Sequence, residues 1–260
     1  MEITQVTTEL LLLLFTVAIL AGLLDTLAGG GGLIALPALI LSGVPPLAAL
    51  GTNKLQGCMG TATATYMMLK NKRIKWHNVK KLMFIAFMGS LLGTVAVQFI
   101  NQQILSYVIP VVISFIGLYF LFAPTVSDQS TEAKISERHY QNIVMPTIGF
   151  YDGFFGPGTG SFFSLAGVSL RGNNIISATA TAKALNFSTN IASLIIFLIA
   201  GKIVWAIGLV MMSGQIIGAW LGSLCLFSIN PKYLRLLIVM MCFGMLMKYS
   251  LGMFTLSNTH

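Results

Sequence analysis

Residues 22–54 read GLLDTLAGGGGLIALPALILSGVPPLAALGTNK: an aspartate, Asp25, then four glycines in a row, then a lysine, Lys54, in a strongly apolar context. The plan returns at residues 149–183 as GFYDGFFGPGTGSFFSLAGVSLRGNNIISATATAK. Asp25 aligns with Asp152, Gly29 with Gly156, Gly31 with Gly158, Thr52 with Thr181 and Lys54 with Lys183. Further out, RIKW at 73–76 matches KIVW at 202–205, and the glycines of GSLLG at 89–93 match those of GQIIG at 214–218. A polar motif has been laid down twice in a hydrophobic chain.

The chain around it is too apolar for a soluble globule. Of 260 residues, 56% are hydrophobic and 8% charged, with a mean hydropathy of +0.85, which places it among polytopic membrane proteins. The first apolar run, Leu10 to Gly22, lacks the basic flank of a signal peptide and carries Glu2 and Glu9 before it, so it is expected to stay as a first helix. Cys58, Cys225 and Cys242 lie apart in apolar segments without metal-ligand spacing and read as packing residues.

Apolar runs fall at about 8–28, 31–43, 46–69, 80–101 and 103–122, and after a linker at about 141–156, 159–171, 173–200, 205–229 and 234–256. A bilayer core takes roughly 20 helical residues to cross, so the second run of each set is too short for a straight span. Each short run is set off by glycines, and Pro37 and Pro157 reinforce the interruption. Freed backbone groups are tolerated only where they face protein or a watery cavity, which predicts broken or re-entrant helices. Close helix packing is the other use such glycines have. The expectation is an all-α fold of two inverted repeats of about five segments, residues 1–122 and 141–260, joined by a cytoplasmic linker at 123–140.

Charge supports the inversion independently. Residues 70–81, KNKRIKWHNVKK, hold six of the fifteen basic residues, while the counterpart turn at 201–205 holds only Lys202. By the positive-inside rule the first loop is cytoplasmic and the second external. The next pair reverses the bias, since INQQ at 100–103 has no basic residue and NPKYLR at 230–235 has Lys232 and Arg235. Both termini are then expected outside. The net charge of +8 is a topology signal and does not point to nucleic acid.

Four ionisable side chains remain at depth: Asp25, Lys54, Asp152 and Lys183. Each is unfavourable by about 2.5–3.5 kcal/mol near a helix centre unless partnered. Two roles fit them, structural Asp–Lys pairs that pin the halves together, or a lysine pair that binds an anion with the aspartates as partners or proton carriers. Beyond Lys183, at helical spacing, lie Asn186, Asn190 and Ser193, where the first half has Gly57, Thr61 and Ala64. One half offers hydrogen-bonding groups where the other offers room. Asn190 and Ser193 equally suit helix–helix hydrogen bonding. The GxxxG patterns at Gly89/Gly93 and Gly214/Gly218/Gly222 read as packing faces, and Trp76 and Trp205 as interfacial anchors. His77, His139 and His260 join no catalytic constellation.

The paired segments AGGGGLIALPALILSGVPPLAALGTNK and GFYDGFFGPGTGSFF with ATAKALNFSTN resemble the two signature halves of the sulfite exporter TauE/SafE family, essentially over the full chain. The resemblance implies a permease of the bacterial cytoplasmic membrane that moves sulfite, sulfoacetate or related sulfur-containing anions. Helix N-termini exposed at the breaks suit a sulfonate or carboxylate head. The expected anion contacts are Lys54 and Lys183, with Thr52, Asn53, Thr181 and Asn186 beside them and backbone donors at Gly30, Gly31, Gly32, Gly158, Thr159 and Gly160. Asp25 and Asp152 are the expected proton carriers or lysine partners. With no ATP-binding segment and no cofactor motif, transport is passive or driven by an ion gradient, protons being one candidate coupling ion among others. The partners are then a small anion and the bilayer, and the oligomeric state, a homodimer among the options, is left open. An anion channel, a membrane-embedded enzyme and a structural scaffold are the rival classes, and the enzyme would need a nucleophile or metal cluster that the sequence does not offer.

Overall fold

The computed structural model describes residues 6–122 and 130–225, which form helices and short connections with no strand among them. In the first half, α1 (Thr8–Ala28) starts on Thr7, whose hydroxyl accepts the Leu10 N–H at 3.3 Å. It stops at Gly29, whose φ of +76° is a left-handed conformation that glycine adopts without strain. A three-residue break leads into α2 (Gly32–Leu41), with Pro37 inside it. Then come α3 (Pro46–Lys70), opened by a proline that has no N–H to leave unsatisfied, α4 (Trp76–Gln98) and α5 (Gln102–Phe122).

The second half repeats the order. A continuous rod begins with α6 (Glu137–His139), passes through a π-helical turn at Tyr140–Val144 and ends as α7 (Met145–Phe154). A glycine-rich break leads to α8 (Thr159–Arg171), with Gly158 at φ +80° before it and Gly172 at φ +67° after it. Helix α9 (Ile175–Ile199) is capped by Asn174, which accepts the Ser177 N–H at 2.8 Å, and α10 (Trp205–Cys225) follows. Helices α1, α4, α9 and α10 are long and apolar enough to cross a membrane. Their outward faces expose large apolar side chains such as Phe84, Leu92 and Ile199, as lipid contact requires. This is a multi-pass membrane protein. Helix α3 has 25 residues, about 37 Å at 1.5 Å per residue, but carries Thr52, Asn53, Lys54 and Gln56 in its first half.

Two boundaries differ from the hydropathy reading. Helix α4 begins at Trp76 instead of 80, so half of the basic loop is its first turn, with His77, Asn78, Lys80 and Lys81 exposed. The rod holding α7 begins at Glu137 instead of 141, capped by Ser136, which accepts the His139 N–H at 3.3 Å. Exposed polar residues extend a helix beyond its apolar run. What is described of the linker is docked: the Thr131 and Lys134 N–H groups donate to Gly172 O and Leu170 O at 2.9 Å, and Arg171 Nη1 donates to Ile135 O at 2.7 Å. NPKYLR at 230–235, the last segment at 234–256, Asp128, Cys242 and His260 lie outside the described residues.

Glycine controls how the long helices meet. A side chain at Gly214, Gly218 or Gly222 of α10 would strike α1 near Phe15, Ile19 and Leu23 in turn, while one at Gly22 would strike Gln215 and Ala219. On the other side, Gly89 and Gly93 of α4 lie against Pro146 and Phe150 of α7, and Gly149 and Gly153 of α7 against Ala86 and Ser90. In both pairs the contacts advance in the same sense along the two helices. The same holds for α3 on α10, from Thr52 against Gly208 to Gly60 against Gln215. Helix α9 follows α4 likewise, from Met83 with Ser188 to Thr94 with Ser193. Exchanging α1 with α7, α3 with α9 and α4 with α10 turns the α1–α10 packing into α7–α4, and α3–α10 into α9–α4. The lysine-bearing helices α3 and α9 pack on each other at the centre.

Candidate functional site

The two breaks touch. A Cβ on Gly29 would strike the backbone of Gly160 and Ser161, and Gly32 lies against Pro157 and Asn53. Around this crossing is a polar cavity of about 20 Å³, lined by residues that include Asp25, Asn53, Lys54, Asp152, Asn186 and Gln215. That is room for about one water, in a region otherwise filled by apolar helices.

Lys54 comes from the third turn of α3, and both of its partners come from the other half of the chain. Its Nζ lies 2.9 Å from Asp152 Oδ2 of α7 and donates to Asn190 Oδ1 of α9 at 3.2 Å. The Lys54 and Asp152 side chains are 2% and 1% exposed. Asn190 Nδ2 donates onward to Thr61 Oγ1 at 3.4 Å. The closest approach of ammonium and carboxylate is a charge contact, since Asp152 Oδ2 has no aligned hydrogen-bond donor among the described residues. Gly156, at φ +90°, sets the second break beside the ammonium, which a Cβ at this position would meet at 3.2 Å.

Lys183 does something else. It is fully buried, and its ammonium donates to the main-chain carbonyl of Asp25, which also accepts the Gly29 N–H at 2.7 Å. The Ser161 hydroxyl donates to the Ala28 carbonyl. Carbonyls at the broken end of α1 are thus met by donors from α8 and α9, as a helix end buried in a membrane protein requires. The Asp25 carboxylate is held on its own break, accepting the Gly31 N–H at 3.2 Å. This asymmetry has a residue-level cause. The position that serves Lys54 as Asn190 would serve Lys183 as Thr61, whose Oγ1 instead accepts from Asn190 Nδ2 at 3.4 Å while donating to Gly57 O at 2.7 Å.

Of the residues picked out by sequence, Asp25, Gly32, Asn53, Lys54, Asp152, Gly158 and Asn186 line the cavity. Lys183 stands behind it on Asp25, and the Gly31 N–H is engaged by the Asp25 carboxylate. Gly30 and Gly160 form the crossing without lining it. Thr52 points elsewhere: its hydroxyl accepts the Val204 N–H at 3.0 Å and fastens the α9–α10 turn. Thr159 donates to Gly156 O at 2.7 Å within its own turn. Thr181 is half-buried and off the cavity wall. Ser193 acts between helices, 2.8 Å from the Ser90 hydroxyl and 2.9 Å from that of Thr94.

Sequence reasoning passed over Gln215. It is 2% exposed, lines the cavity, and its Oε1 has no hydrogen-bond partner among the described residues. Its signal was available: a glutamine between the packing glycines of GQIIG, facing an apolar span. Gln56, whose Nε2 donates to Asn53 Oδ1 at 2.9 Å, was passed over too.

Comparison with known proteins adds a second line. The profile of a family described as sulfite exporter TauE/SafE matches residues 14–249. The chain is 43% identical over 248 residues to a Haemophilus influenzae protein named "Probable membrane transporter protein", covering 95% of this chain and 97% of that one. It is 42% identical over 230 residues to the "Probable membrane transporter protein YfcA" of Escherichia coli K12, covering 88% and 86%. A Sinorhizobium protein named "Probable membrane transporter protein ORF9" is 37% identical over 231 residues, covering 89% and 88%. No solved structure matches the chain.

Proposed function

We propose that this chain, which belongs to the sulfite exporter TauE/SafE family of membrane transporters, is a secondary carrier for small sulfur-containing anions such as sulfite, sulfoacetate or a related sulfonate. The observation that carries the reading is Lys54: an ammonium placed where two broken helices cross, facing a polar cavity, with every direct partner supplied by the opposite half. Asn53, Asn186 and Gln215 line the same space with groups able to orient an anionic head. Lys183 supports the wall from behind by holding the end of α1.

The carrier operates as two inverted repeats, 1–122 and 141–260, around that cavity. Contacts that run in one sense along α1, α3 and α10, and in one sense along α4, α7 and α9, support this arrangement. They require α2 and α8 to return the chain toward the side from which α1 and α7 entered, as re-entrant segments do. The basic residues at 70–81 put that turn and the linker 123–140 in the cytoplasm, with both termini outside the bacterial inner membrane. A sulfonate head does not fit in about 20 Å³, so binding needs the crossing breaks to part. Movement of one half against the other around a fixed site is the carrier mode, in contrast to a standing pore.

The test is uptake of labelled sulfite, sulfoacetate and taurine by the purified protein in liposomes, beside Lys54→Ala and Lys183→Ala. The expected result is saturable uptake of at least one of the anions, abolished by Lys54→Ala in protein that still elutes as a folded species. Normal uptake by Lys54→Ala would make that lysine structural and end the site assignment.

A further inference from the structure

Charge in the cavity restricts what can enter it alone. At their ordinary ionisation Asp25, Lys54, Asp152 and Lys183 sum to zero, and all four are at least 94% buried. An entering anion adds a negative charge among apolar helices, where uncompensated charge is strongly disfavoured. Either a cation comes with it or one of the four groups changes its charge.

The two carboxylates are not equally placed to respond. That of Asp25 is tied to the Gly31 N–H of its own break. That of Asp152 rests on Lys54, the cation on the cavity wall, through an oxygen with no aligned donor among the described residues. An anion that binds Lys54 therefore competes with Asp152 for the same ammonium. In the closed structure the Asp152 carboxylate stands in the place of the solute's head.

We infer that each monovalent anion crosses together with one proton and that Asp152 is the group that carries it. This rests on the anion-carrier reading. The anion displaces the Asp152 carboxylate from Lys54, the displaced carboxylate takes a proton from water on the side of entry, and the site returns to zero net charge. On the other side the anion leaves, Asp152 releases its proton to water, and the pair with Lys54 re-forms. Lys54 stays an ammonium throughout, and the only bond made and broken is the O–H of Asp152.

The groups around Asp152 fit this role. Lys54 faces it from α3, with Cys58 one turn further along that helix, and Asp25 shares the cavity wall from α1. Helix α9 brings Asn186 and Asn190, with Lys183 directed to α1. Helix α4 brings the Ser90 carbonyl and Thr94 against Gly153. The neighbouring Tyr151 donates its hydroxyl to Pro157 O at 2.7 Å. Among these groups Asp152 alone is an acid whose carboxylate leans on the cation that the solute needs.

The experiment adds methanesulfonate, a monovalent anion at any working pH, to purified protein in weakly buffered detergent solution with a pH-indicator dye, and measures binding on the same samples by calorimetry. The expected result is one proton taken up per anion bound by the wild type, none by Asp152→Asn with binding retained, and one again by Asp152→Glu. Should Asp152→Asn not fold, the Glu variant still tests the assignment: the pH dependence of its proton uptake is expected to differ from the wild type's, and an identical profile overturns the assignment to Asp152. Binding by the wild type without proton uptake, or equal uptake by a folded Asp152→Asn, overturns the inference and leaves the carrier reading standing. Failure of the wild type to bind methanesulfonate overturns it as well, and failure with sulfite and sulfoacetate in addition removes the carrier reading.

Discussion

Replacing Lys54 by methionine keeps most of the length of the side chain and removes its charge, which leaves the Asp152 carboxyl group 1% exposed and without its cation. Breaking a buried pair from one side costs about 3–5 kcal/mol, because the remaining group must either stay charged without water or partner or be neutralised by a proton. For a protein of this size, that corresponds to a fall in melting temperature of roughly 6–20 °C. Asp152→Leu is expected to destabilise similarly, since Lys54 would retain only Asn190 Oδ1. The double variant Lys54→Met/Asp152→Leu removes both charges and is expected to melt near the wild type, less about 1 kcal/mol for the donor lost to Asn190. The assay is thermal unfolding in one mild detergent, with the four proteins compared as a cycle, and the expected coupling is about 5 kcal/mol or more, from two single losses of at least about 3 kcal/mol against about 1 kcal/mol for the double variant. The double variant should be stable and inactive in transport. Single-variant losses that simply add, within about 0.5 kcal/mol, would refute the reasoning.

Gly93→Ala and Gly218→Ala place a methyl against the backbone of α7 and α1 respectively, and each is expected to lower stability by about 1–3 kcal/mol in the same melting assay. Thr52→Val removes the acceptor of the part-buried Val204 N–H and is expected to cost about 1 kcal/mol, with anion affinity in liposome uptake unchanged because Thr52 is off the cavity wall. Arg171→Ala frees the Ile135 carbonyl, and limited proteolysis should then cut the 130–136 segment faster than in the wild type. A single cysteine at the exposed position Ala133 should react with an impermeant reagent only from the cytoplasmic side, and external labelling would reverse the proposed topology.

The doubled glycine breaks were legible because glycine beside a short apolar run has a backbone meaning: Ala28 ends α1 and Gly32 starts α2 close to where the run was read to stop and restart. Packing by Gly89/Gly93 and Gly214/Gly218/Gly222 was legible for a similar reason, since only backbone fits there. Pairing was not. Sequence symmetry treats Asp25–Lys183 and Asp152–Lys54 alike, but the structure makes one an ion pair and the other a lysine on a carbonyl. That choice goes with Asn190 against Thr61: the amide oxygen of Asn190 accepts from Lys54, while the Thr61 oxygen is taken by Asn190 itself. Thr52 looked like a site residue because it neighbours Lys54 in sequence, yet residues two apart on a helix face different sides, and its side meets Val204. Gln215 was hidden by the glycines around it.

The central claim is that an anion is carried through the crossing of the two breaks on Lys54. Counterflow tests it most directly: liposomes holding the purified protein and loaded with unlabelled sulfoacetate are diluted into a trace of labelled sulfoacetate. The expected result is transient accumulation of label above equilibrium in the wild type and none in a folded Lys54→Ala protein. Accumulation by Lys54→Ala equal to the wild type, or label that only equilibrates as through a pore, would contradict the account.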